Sequence, residues 1–209
     1  MKTEAVLFDL DGTLVDSLQL IIKTYRLVFA EMNIPWGDDE VVKMIGLPLK
    51  DIGRHFAGSQ GPFFEELYQR HYLREHDLHT RLFPGTLKIL EKLKACGIKL
   101  GVVTSKGRAG TDRALTLTGI GSFMDVVVTA HDVSRHKPDP EPLLIALKRL
   151  GTAAARSIYV GDSKFDVLAG QRAGTRTLAV TWGLGTREEL AQLKPDGLID
   201  RWEELAKYI

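Results

Sequence analysis

The sequence predicts an α/β fold with a mainly parallel sheet. Short apolar runs of strand length alternate with segments of helical periodicity along much of the 209 residues. This alternation is typical of strands joined by crossover helices, which build a parallel sheet. The runs are continuously apolar rather than alternating, as expected for strands that are covered on both faces.

Five apolar runs are the predicted strands, and each ends at or near a polar residue. They cover residues 5–8, 98–103, 125–128, 157–160 and 177–180. Helical segments lie between most of them, over residues 85–95, 141–150 and 166–173. Alternating strands and helices are typical of a parallel sheet with helices on both faces.

Residues 16–80 depart from this alternation. Residues 18–32 carry apolar side chains at helical spacing, residues 63–73 are rich in aromatic and charged side chains, and no run is typical of a strand. We therefore predict a core made of residues 1–15 and 81–209, with a small helical insert of residues 16–80 between them.

The composition excludes several classes of protein. Lys and Arg number 28 against 27 Asp and Glu, a net charge of +1 without a long basic run, so we expect no nucleic-acid partner. No apolar run approaches the ~20 residues that cross a bilayer, and the N-terminus has no signal-peptide pattern. We expect a cytoplasmic protein that binds no membrane, and nothing indicates a particular oligomeric state. The single cysteine, Cys96, excludes an internal disulfide and is expected to serve packing.

Polar side chains follow the predicted strands at their carboxyl ends. Asp9, Thr104 and Asp162 come just after three of the runs, and Lys137 lies in the loop beyond the third run. Ligands of open parallel sheets bind beyond these ends. A single Asp there is equally consistent with a helix cap, but four polar groups at four strand ends indicate a functional site.

The first of these stretches holds two carboxylates, Asp9 and Asp11, two residues apart. In such a pair one carboxylate can act as a nucleophile and the other can transfer protons as a general acid and base. Gly12 would permit the tight turn that brings backbone amides near a bound anion. A hairpin turn is the alternative, but the following segment is helical rather than a returning strand.

Asp162 and Asp166 would add two carboxylates to the same cleft as Asp9. Crowded carboxylates repel one another unless a cation neutralises them or one keeps its proton. A few carboxylates and several waters are what Mg²⁺ accepts. The alternative, that Asp162 or Ser163 caps the helix starting near Asp166, is compatible with metal binding in the same stretch.

Lys137 precedes three prolines in five residues, which stiffen the chain around it. A lysine held in this way can neutralise a carboxylate or a phosphate oxygen as a point charge. Thr104 and Ser105 offer hydroxyls and backbone amides at a strand-to-helix turn, where anions bind well.

Together these stretches resemble the signature motifs of the haloacid dehalogenase superfamily of phosphohydrolases. The matching stretches are Phe8-Asp9-Leu10-Asp11-Gly12-Thr13-Leu14, Val103-Thr104-Ser105-Lys106, His136-Lys137-Pro138-Asp139-Pro140, and Val160-Gly161-Asp162-Ser163 with Asp166. The resemblance covers nearly the whole chain. It implies a Rossmann-like, doubly wound parallel sheet core into which a small α-helical cap domain is inserted.

The resemblance also implies roles for the motif residues. Asp9 is the expected nucleophile and forms an aspartyl-phosphate, and Asp11 protonates the leaving group and then activates water. Thr104 holds a phosphoryl oxygen and Lys137 offsets negative charge. Asp162 binds Mg²⁺ with the Asp9 carboxylate and the Asp11 backbone carbonyl. The remaining expectations concern neighbouring residues: substrate contacts from Gly12, Thr13 and Ser105, and support for Lys137 or the metal waters from Asp166 and Ser163.

Within the superfamily the sequence is most similar to phosphoglycolate phosphatases and to a related bacterial pyrophosphatase. The similarity lies in residues 125–129, 137–142 and 173–177. It implies a Mg²⁺-dependent phosphatase of a small phosphorylated metabolite, phosphoglycolate first. The alternatives are an inorganic pyrophosphatase, a sugar phosphomutase and a non-catalytic binding protein. The presence of Asp11 argues against dehalogenation, since a leaving halide needs no proton.

The insert is expected to select the substrate. Residues 46–50 fall where related caps send a loop over the active site, which makes Lys50 and Arg54 candidates to bind a second anionic group. Three histidines, His71, His76 and His79, do not form a single-face ligand set and are expected to be solvated.

Overall fold

A computed structural model describes residues 2–209 and has a six-stranded parallel sheet at its centre. In chain order the strands are β1 (Ala5–Phe8), β2 (Val15–Asp16), β3 (Arg81–Leu82), β4 (Lys99–Val103), β5 (Val126–Val128), β6 (Ser157–Gly161), β7 (Arg176–Val180) and β8 (Gly197–Ile199). The sheet order is β5-β4-β1-β6-β7-β8, with every neighbouring pair parallel. The strand order reverses around β1, which places its carboxyl end at the switch point where such sheets bind ligands.

Helices cover both faces of this sheet. The α-helices are α1 (Leu18–Glu31), α2 (Leu49–Ala57), α3 (Gly61–His79), α4 (Thr86–Ala95), α5 (Arg108–Thr118), α6 (Glu141–Leu150), α7 (Lys164–Ala173) and α8 (Arg187–Gln192). Val6 and Phe8 of β1 pack with α4 and α5, whereas Ala5 and Leu7 pack with α6 and α7. Because side chains alternate between the faces of a strand, burial on both faces needs an unbroken apolar run. The predicted α/β fold class is confirmed.

Helices α1, α2 and α3 share an apolar core of their own. Its aromatic members include Tyr25 and Phe29 of α1 and Phe64, Tyr68 and Tyr72 of α3. The chain enters and leaves this unit through β2 and β3, which pair antiparallel, Val15 opposite Leu82 and Asp16 opposite Arg81. We call residues 16–80 the helical insert; its predicted boundaries adjoin this strand pair.

Several local expectations were wrong or incomplete. β8 was not predicted because it holds only two apolar side chains, Leu198 and Ile199, between Gly197 and Asp200. Cys96 is exposed beyond the end of α4 rather than packed inside. His76 is not solvated: it is fully buried, with its ring edge-on to Tyr72 and its Nδ1 2.7 Å from the Asp77 carboxylate. Among the described residues, no helix is both long and apolar enough to cross a membrane.

Gly101 of β4 gives a test of packing in the sheet. It pairs with Leu7 on one side and Val126 on the other, and a Cβ at Gly101 would overlap both of their side chains. We expect Gly101→Ala to lower the free energy of unfolding by about 1–3 kcal/mol, since an overfilled core must shift. Urea denaturation measures this change. Gly121→Ala is the matched control, because its Cβ would meet Leu115 at an ordinary 3.4 Å. Equal midpoints for the two variants would contradict the packing argument.

Candidate active site

A cleft lies where the carboxyl ends of β1, β4 and β6 face the helical insert. Its volume is about 90 Å³. Asp9, Thr104 and Asp162 each follow directly after one of these strands and line the cleft, together with Lys137 from the loop beyond β5. The side chains from the helical insert are Ile21, Tyr25, Ile45, Leu47, Leu49, Tyr68, Gln69 and Tyr72. The four predicted strand-end residues are therefore brought together in one cleft.

The Lys137 ammonium is the centre of the buried charge cluster. Its Nζ donates to Asp9 Oδ1 at 2.8 Å and to Asp166 Oδ1 at 2.6 Å, and it lies 3.2 Å from the Tyr159 hydroxyl. The Lys137 side chain is only 2% exposed. A buried ammonium is tolerated here because two carboxylates and two further oxygens, the Tyr159 hydroxyl and the Val103 carbonyl, surround it.

The carboxylates of this cluster titrate differently because their partners differ. Burial raises the pKa of Asp9 to about 7, although Lys137 opposes the shift. Burial and the charges of Asp166 and Asp9 raise the pKa of Asp162 well above its usual range. Burial acts on Asp166 as well, but Lys137, Ser163 and Tyr159 outweigh it and lower the pKa of Asp166. The protein thus holds one firmly ionised carboxylate and two that a cation would ionise.

Asp162 is held from two sides. Its Oδ1 accepts a hydrogen bond of 2.8 Å from the Thr13 hydroxyl, and its Oδ2 accepts one of 2.8 Å from the Leu184 backbone N–H. Gly12, with a positive φ of 84°, packs against this carboxylate so closely that a Cβ would overlap it. Gly12 is therefore required by both its backbone conformation and its contact.

Three buried carboxylates could hold a metal ion. Asp9, Asp162 and Asp166 each offer an oxygen within 4.8 Å of the others. Asp166 Oδ1 is held by the Lys137 ammonium, which would repel a metal ion there, and its Oδ2 accepts from Ser163. Asp162 accepts only from neutral donors, the Thr13 hydroxyl and the Leu184 N–H. The residues fit a hard cation, since two carboxylates with raised pKa values stand together and oxygen donors suit such an ion. Asp9 and Asp162 would supply the ligands, while Asp166 holds Lys137.

Asp11 lies outside that cluster and pairs with a second lysine. Lys106 Nζ is 2.8 Å from Asp11 Oδ1 and 2.9 Å from Oδ2, and the Ser17 hydroxyl donates to Oδ1 at 2.6 Å. The same ammonium donates to the Tyr72 hydroxyl at 2.6 Å. Burial alone would lower the pKa of Lys106, but the Asp11 carboxylate outweighs it and holds that pKa above its usual range.

The predicted hydroxyl-bearing residues fall into two groups: Thr104 and Ser105 lie at the end of β4, and Ser163 lies at the start of α7. Thr104 is buried, and its Oγ1 accepts a 3.2 Å hydrogen bond from the Lys106 backbone N–H; Ser105 lines the cleft beside it. Ser163 caps α7: it accepts from the Asp166 N–H while the Asp166 carboxylate accepts from the backbone N–H and hydroxyl of Ser163. Capping and the acidic cluster thus coexist in this stretch.

Lys50 and Arg54 are not brought together with the motif residues. Both are exposed on α2, and neither is among the residues that line the cleft. The α2 residue that does line the cleft is Leu49. The expected positive charge from the helical insert is therefore missing from the described cleft, because this face of α2 turns apolar side chains inward.

Three residues that contact the predicted site residues or line the cleft with them had no role predicted from the sequence. Lys106 stood in a matching stretch without an assigned role, and Tyr159 had the pattern of an ordinary strand residue. Tyr72 lies on α3 in a row with Tyr68 and His76, each four residues apart. That spacing places the three rings on one face of a helix, and it was the available signal.

Comparisons with known proteins agree with this geometry. Residues 6–180 match the family described as haloacid dehalogenase-like hydrolase. The chain is 36% identical over 200 residues to pyrophosphatase PpaX of Oceanobacillus iheyensis, covering 96% of this chain and 94% of that protein. It is 38% identical over 209 residues to pyrophosphatase PpaX of Bacillus velezensis, covering 98% and 95%.

A similar solved structure is that of a predicted phosphoglycolate phosphatase from Haemophilus somnus. The TM-score is 0.89 at 26% identity, over 100% of this chain and 98% of that one. The family match spans the strands that carry Asp9, Thr104 and Asp162, and the relatives cover nearly the whole chain. The chain therefore belongs to the haloacid dehalogenase-like hydrolases and is an enzyme of that family.

Proposed function

We propose that this enzyme is a Mg²⁺-dependent phosphatase that hydrolyses inorganic pyrophosphate through an aspartyl-phosphate on Asp9. The observation that supports the proposal is the hydrogen bonding of the Asp9 carboxylate in the cleft. Its Oδ1 is held by Lys137 at 2.8 Å, and no protein group among residues 2–209 donates a hydrogen bond to its Oδ2. A carboxylate fixed through one oxygen with the other oxygen available is suited to nucleophilic attack.

In the first step an Asp9 oxygen bonds to one phosphorus of pyrophosphate, and the bond from that phosphorus to the bridging oxygen breaks. The bridging oxygen leaves with the other phosphate and takes a proton from Asp11. In the second step a water oxygen bonds to the phosphorus of the aspartyl-phosphate, gives a proton to Asp11, and the bond to Asp9 breaks. The products are two phosphates, and both carboxyl groups return to their starting states.

Phosphoryl transfer depends mainly on positioning and on offsetting negative charge. Mg²⁺, held by Asp9 and Asp162, would supply positive charge beside the phosphoryl oxygens. Lys137 supplies a second positive charge on the Asp9 side. Thr104 and Ser105, at the end of β4, are proposed to hold phosphoryl oxygens through their hydroxyls and the backbone amides of this turn.

The size of the cleft supports a small substrate. Its volume of about 90 Å³ is below the roughly 150 Å³ of a cavity that takes benzene. A phosphoryl group with a compact leaving group fits this description better than a nucleotide or a hexose phosphate. The names of the relatives at 36% and 38% identity favour pyrophosphate among small substrates.

2-Phosphoglycolate is the second candidate substrate. Its leaving group is also small and anionic, and the solved structure from Haemophilus somnus bears the name of a phosphoglycolate phosphatase. The same residues would act in the same order on either substrate, so the two candidates differ in the leaving group alone.

We propose that the helical insert acts as a cap that closes over the cleft. Two contacts join it to the core on one side of the cleft. Lys106 donates to Tyr72, and Arg113 of α5 forms a bidentate ion pair with Asp77 of α3, both N–O distances being 2.8 Å. Closure excludes water during attack on Asp9, and opening admits it for hydrolysis and release.

Replacing the nucleophile tests the covalent route. We expect Asp9→Asn to lower Mg²⁺-dependent phosphate release by about 10³-fold or more, because the amide cannot form the aspartyl-phosphate. Phosphate release with Mg²⁺ and with a chelator measures this. Asp38→Asn, which removes an exposed carboxylate of the helical insert, is the control and should keep full activity. Near-normal turnover by Asp9→Asn would exclude Asp9 as the nucleophile.

A substrate panel tests the choice of leaving group. We expect pyrophosphate or 2-phosphoglycolate to give kcat/KM values at least about 100-fold above those of glucose 6-phosphate and AMP, since the closed cleft excludes large leaving groups. Phosphate release from each compound is the measurement. Interconversion of sugar phosphates without net phosphate release, with Asp9 left phosphorylated, would instead identify a phosphomutase.

Metal binding should depend on pH. The pKa of Asp9 is raised to about 7, so this carboxyl holds a proton below pH 7 that Mg²⁺ must displace. We expect Mg²⁺ affinity to rise by at least about tenfold from pH 5.5 to pH 6.5, because Asp162 as well as Asp9 must release a proton, and to rise less steeply at higher pH. Isothermal titration calorimetry at pH 5.5, 6.5 and 8 measures it. Asp9→Asn should show a flatter profile, and equal affinities of the wild type at all three pH values would contradict the linkage.

A further inference from the structure

Two ammonium groups line the described cleft, those of Lys137 and Lys106. Lys137 is committed to Asp9 and Asp166, at 2.8 and 2.6 Å. Lys106 is the other cation, and it contacts Asp11 rather than Asp9. Lys137 therefore lies beside Asp9, the proposed nucleophile, and Lys106 lies beside Asp11, the proposed acid.

Lys106 is built into its position. Its side chain is 13% exposed, and its Nζ lies 4.5 Å from the centre of the Tyr72 ring as well as 2.6 Å from the Tyr72 hydroxyl. Gly110 of α5 leaves room for the aliphatic stem, since a Cβ there would be 3.1 Å from Lys106 Cε. A largely buried ammonium needs partners, and Asp11 and Tyr72 supply them.

The contact with Asp11 identifies the side of the substrate that Lys106 faces. In the proposed function Asp11 protonates the oxygen of the leaving group. A cation 2.8 Å from the Asp11 carboxylate therefore lies beside the leaving group. When Asp11 carries the proton for the leaving group it is neutral, so the charge of Lys106 is left to be offset by an anionic leaving group.

The helical insert adds neutral hydrogen-bond donors to this side. Tyr25, Tyr68 and Tyr72 line the cleft with Gln69, and burial raises the pKa of each tyrosine, so their hydroxyls stay protonated. Tyr25 and Tyr68 are in ring contact at 4.7 Å, and Tyr68 stacks on Tyr72 at 5.6 Å. These neutral side chains can donate hydrogen bonds to an anion without adding a charge to the cleft.

We propose that Lys106 and Tyr72 form the leaving-group subsite and give the enzyme its preference for leaving groups that carry a negative charge. Lys106 binds the charged part of the leaving group, a phosphate or a carboxylate. Tyr72 holds Lys106 in place, and its hydroxyl donates a hydrogen bond to the same anionic group. This inference rests on the proposed function and names the residues that select its substrate class. Lys106 of the core thereby takes the role that was predicted from the sequence for Lys50 and Arg54.

The test compares substrates that differ in the charge of the leaving group. 2-Phosphoglycolate is paired with ethyl phosphate, and pyrophosphate with methyl phosphate, for the wild-type enzyme with Mg²⁺. We expect Lys106→Met to lower the kcat/KM ratio of charged to neutral substrate by about 10- to 100-fold, since a charge-assisted hydrogen bond is lost. Effects through Asp11 act alike on 2-phosphoglycolate and ethyl phosphate, whose leaving groups are both alcohols, so they largely cancel in the ratio of that pair, which is the deciding one. Lys106→Arg should restore most of the ratio.

Tyr72→Phe keeps the ring and removes the hydroxyl, and it should lower the ratio by about 3- to 10-fold. It tests the subsite independently if Lys106→Met does not fold, which thermal denaturation reports. Lys88→Met removes an exposed lysine of α4 and is the matched control. Lys50→Met should also leave the ratio unchanged.

The outcomes separate this inference from the proposed function. Wild-type activity on the charged substrates, with an unchanged ratio in Lys106→Met and Tyr72→Phe, would overturn the subsite and leave the proposed function standing. If Lys50→Met, rather than Lys106→Met, lowers the kcat/KM ratio of charged to neutral substrate, then α2 binds the anionic leaving group and the assignment of Lys106 is overturned. A wild-type enzyme that releases no phosphate from either charged substrate would overturn both.

Discussion

The buried ammonium of Lys137 is the interaction on which the rest of the site depends. Parallel strands bring Asp9 and Asp162 to one edge of the sheet, and α7 adds Asp166. Like charges at such distances repel, and burial makes the repulsion stronger. Lys137 contacts two of the three carboxylates, so it stabilises the cluster before any metal or substrate is bound.

The topology explains why a single loop can provide this charge. β5 lies next to β4 at the edge of the sheet, and the loop beyond β5 returns toward the central strands to start α6. Lys137 extends from this loop to the end of β1, while Asp162 arrives from β6 on the other side. Neighbouring strands, distant in sequence, thus supply the separate parts of one site.

Much of the core site could be predicted because its residues follow apolar runs. A strand covered on both faces has a strong sequence signal, and the residue after it marks the edge of the sheet, as for Asp9 and Thr104. The orientation of a side chain on an amphipathic helix is a weaker signal. Lys50 had the right charge but lies on the outer face of α2, whereas the buried His76 belongs to a row of rings on α3. The contact of Lys106 with Tyr72 joins two units of the fold, and no local pattern specifies it.

Asp166 serves two structures at once, since the carboxylate that holds Lys137 also closes the capping box of α7 with Ser163. The first turn of this helix and the placement of the central ammonium are therefore one hydrogen-bonded unit. The hydrogen bonds that cap α7 therefore also orient the carboxylate that accepts from Lys137. For the evolution of new activities on this scaffold, the consequence is that both sides of the cleft are constrained by folding: the start of α7 through its capping box, and the helical insert because Tyr25, Tyr68 and Tyr72 belong to its apolar core as well as to the cleft.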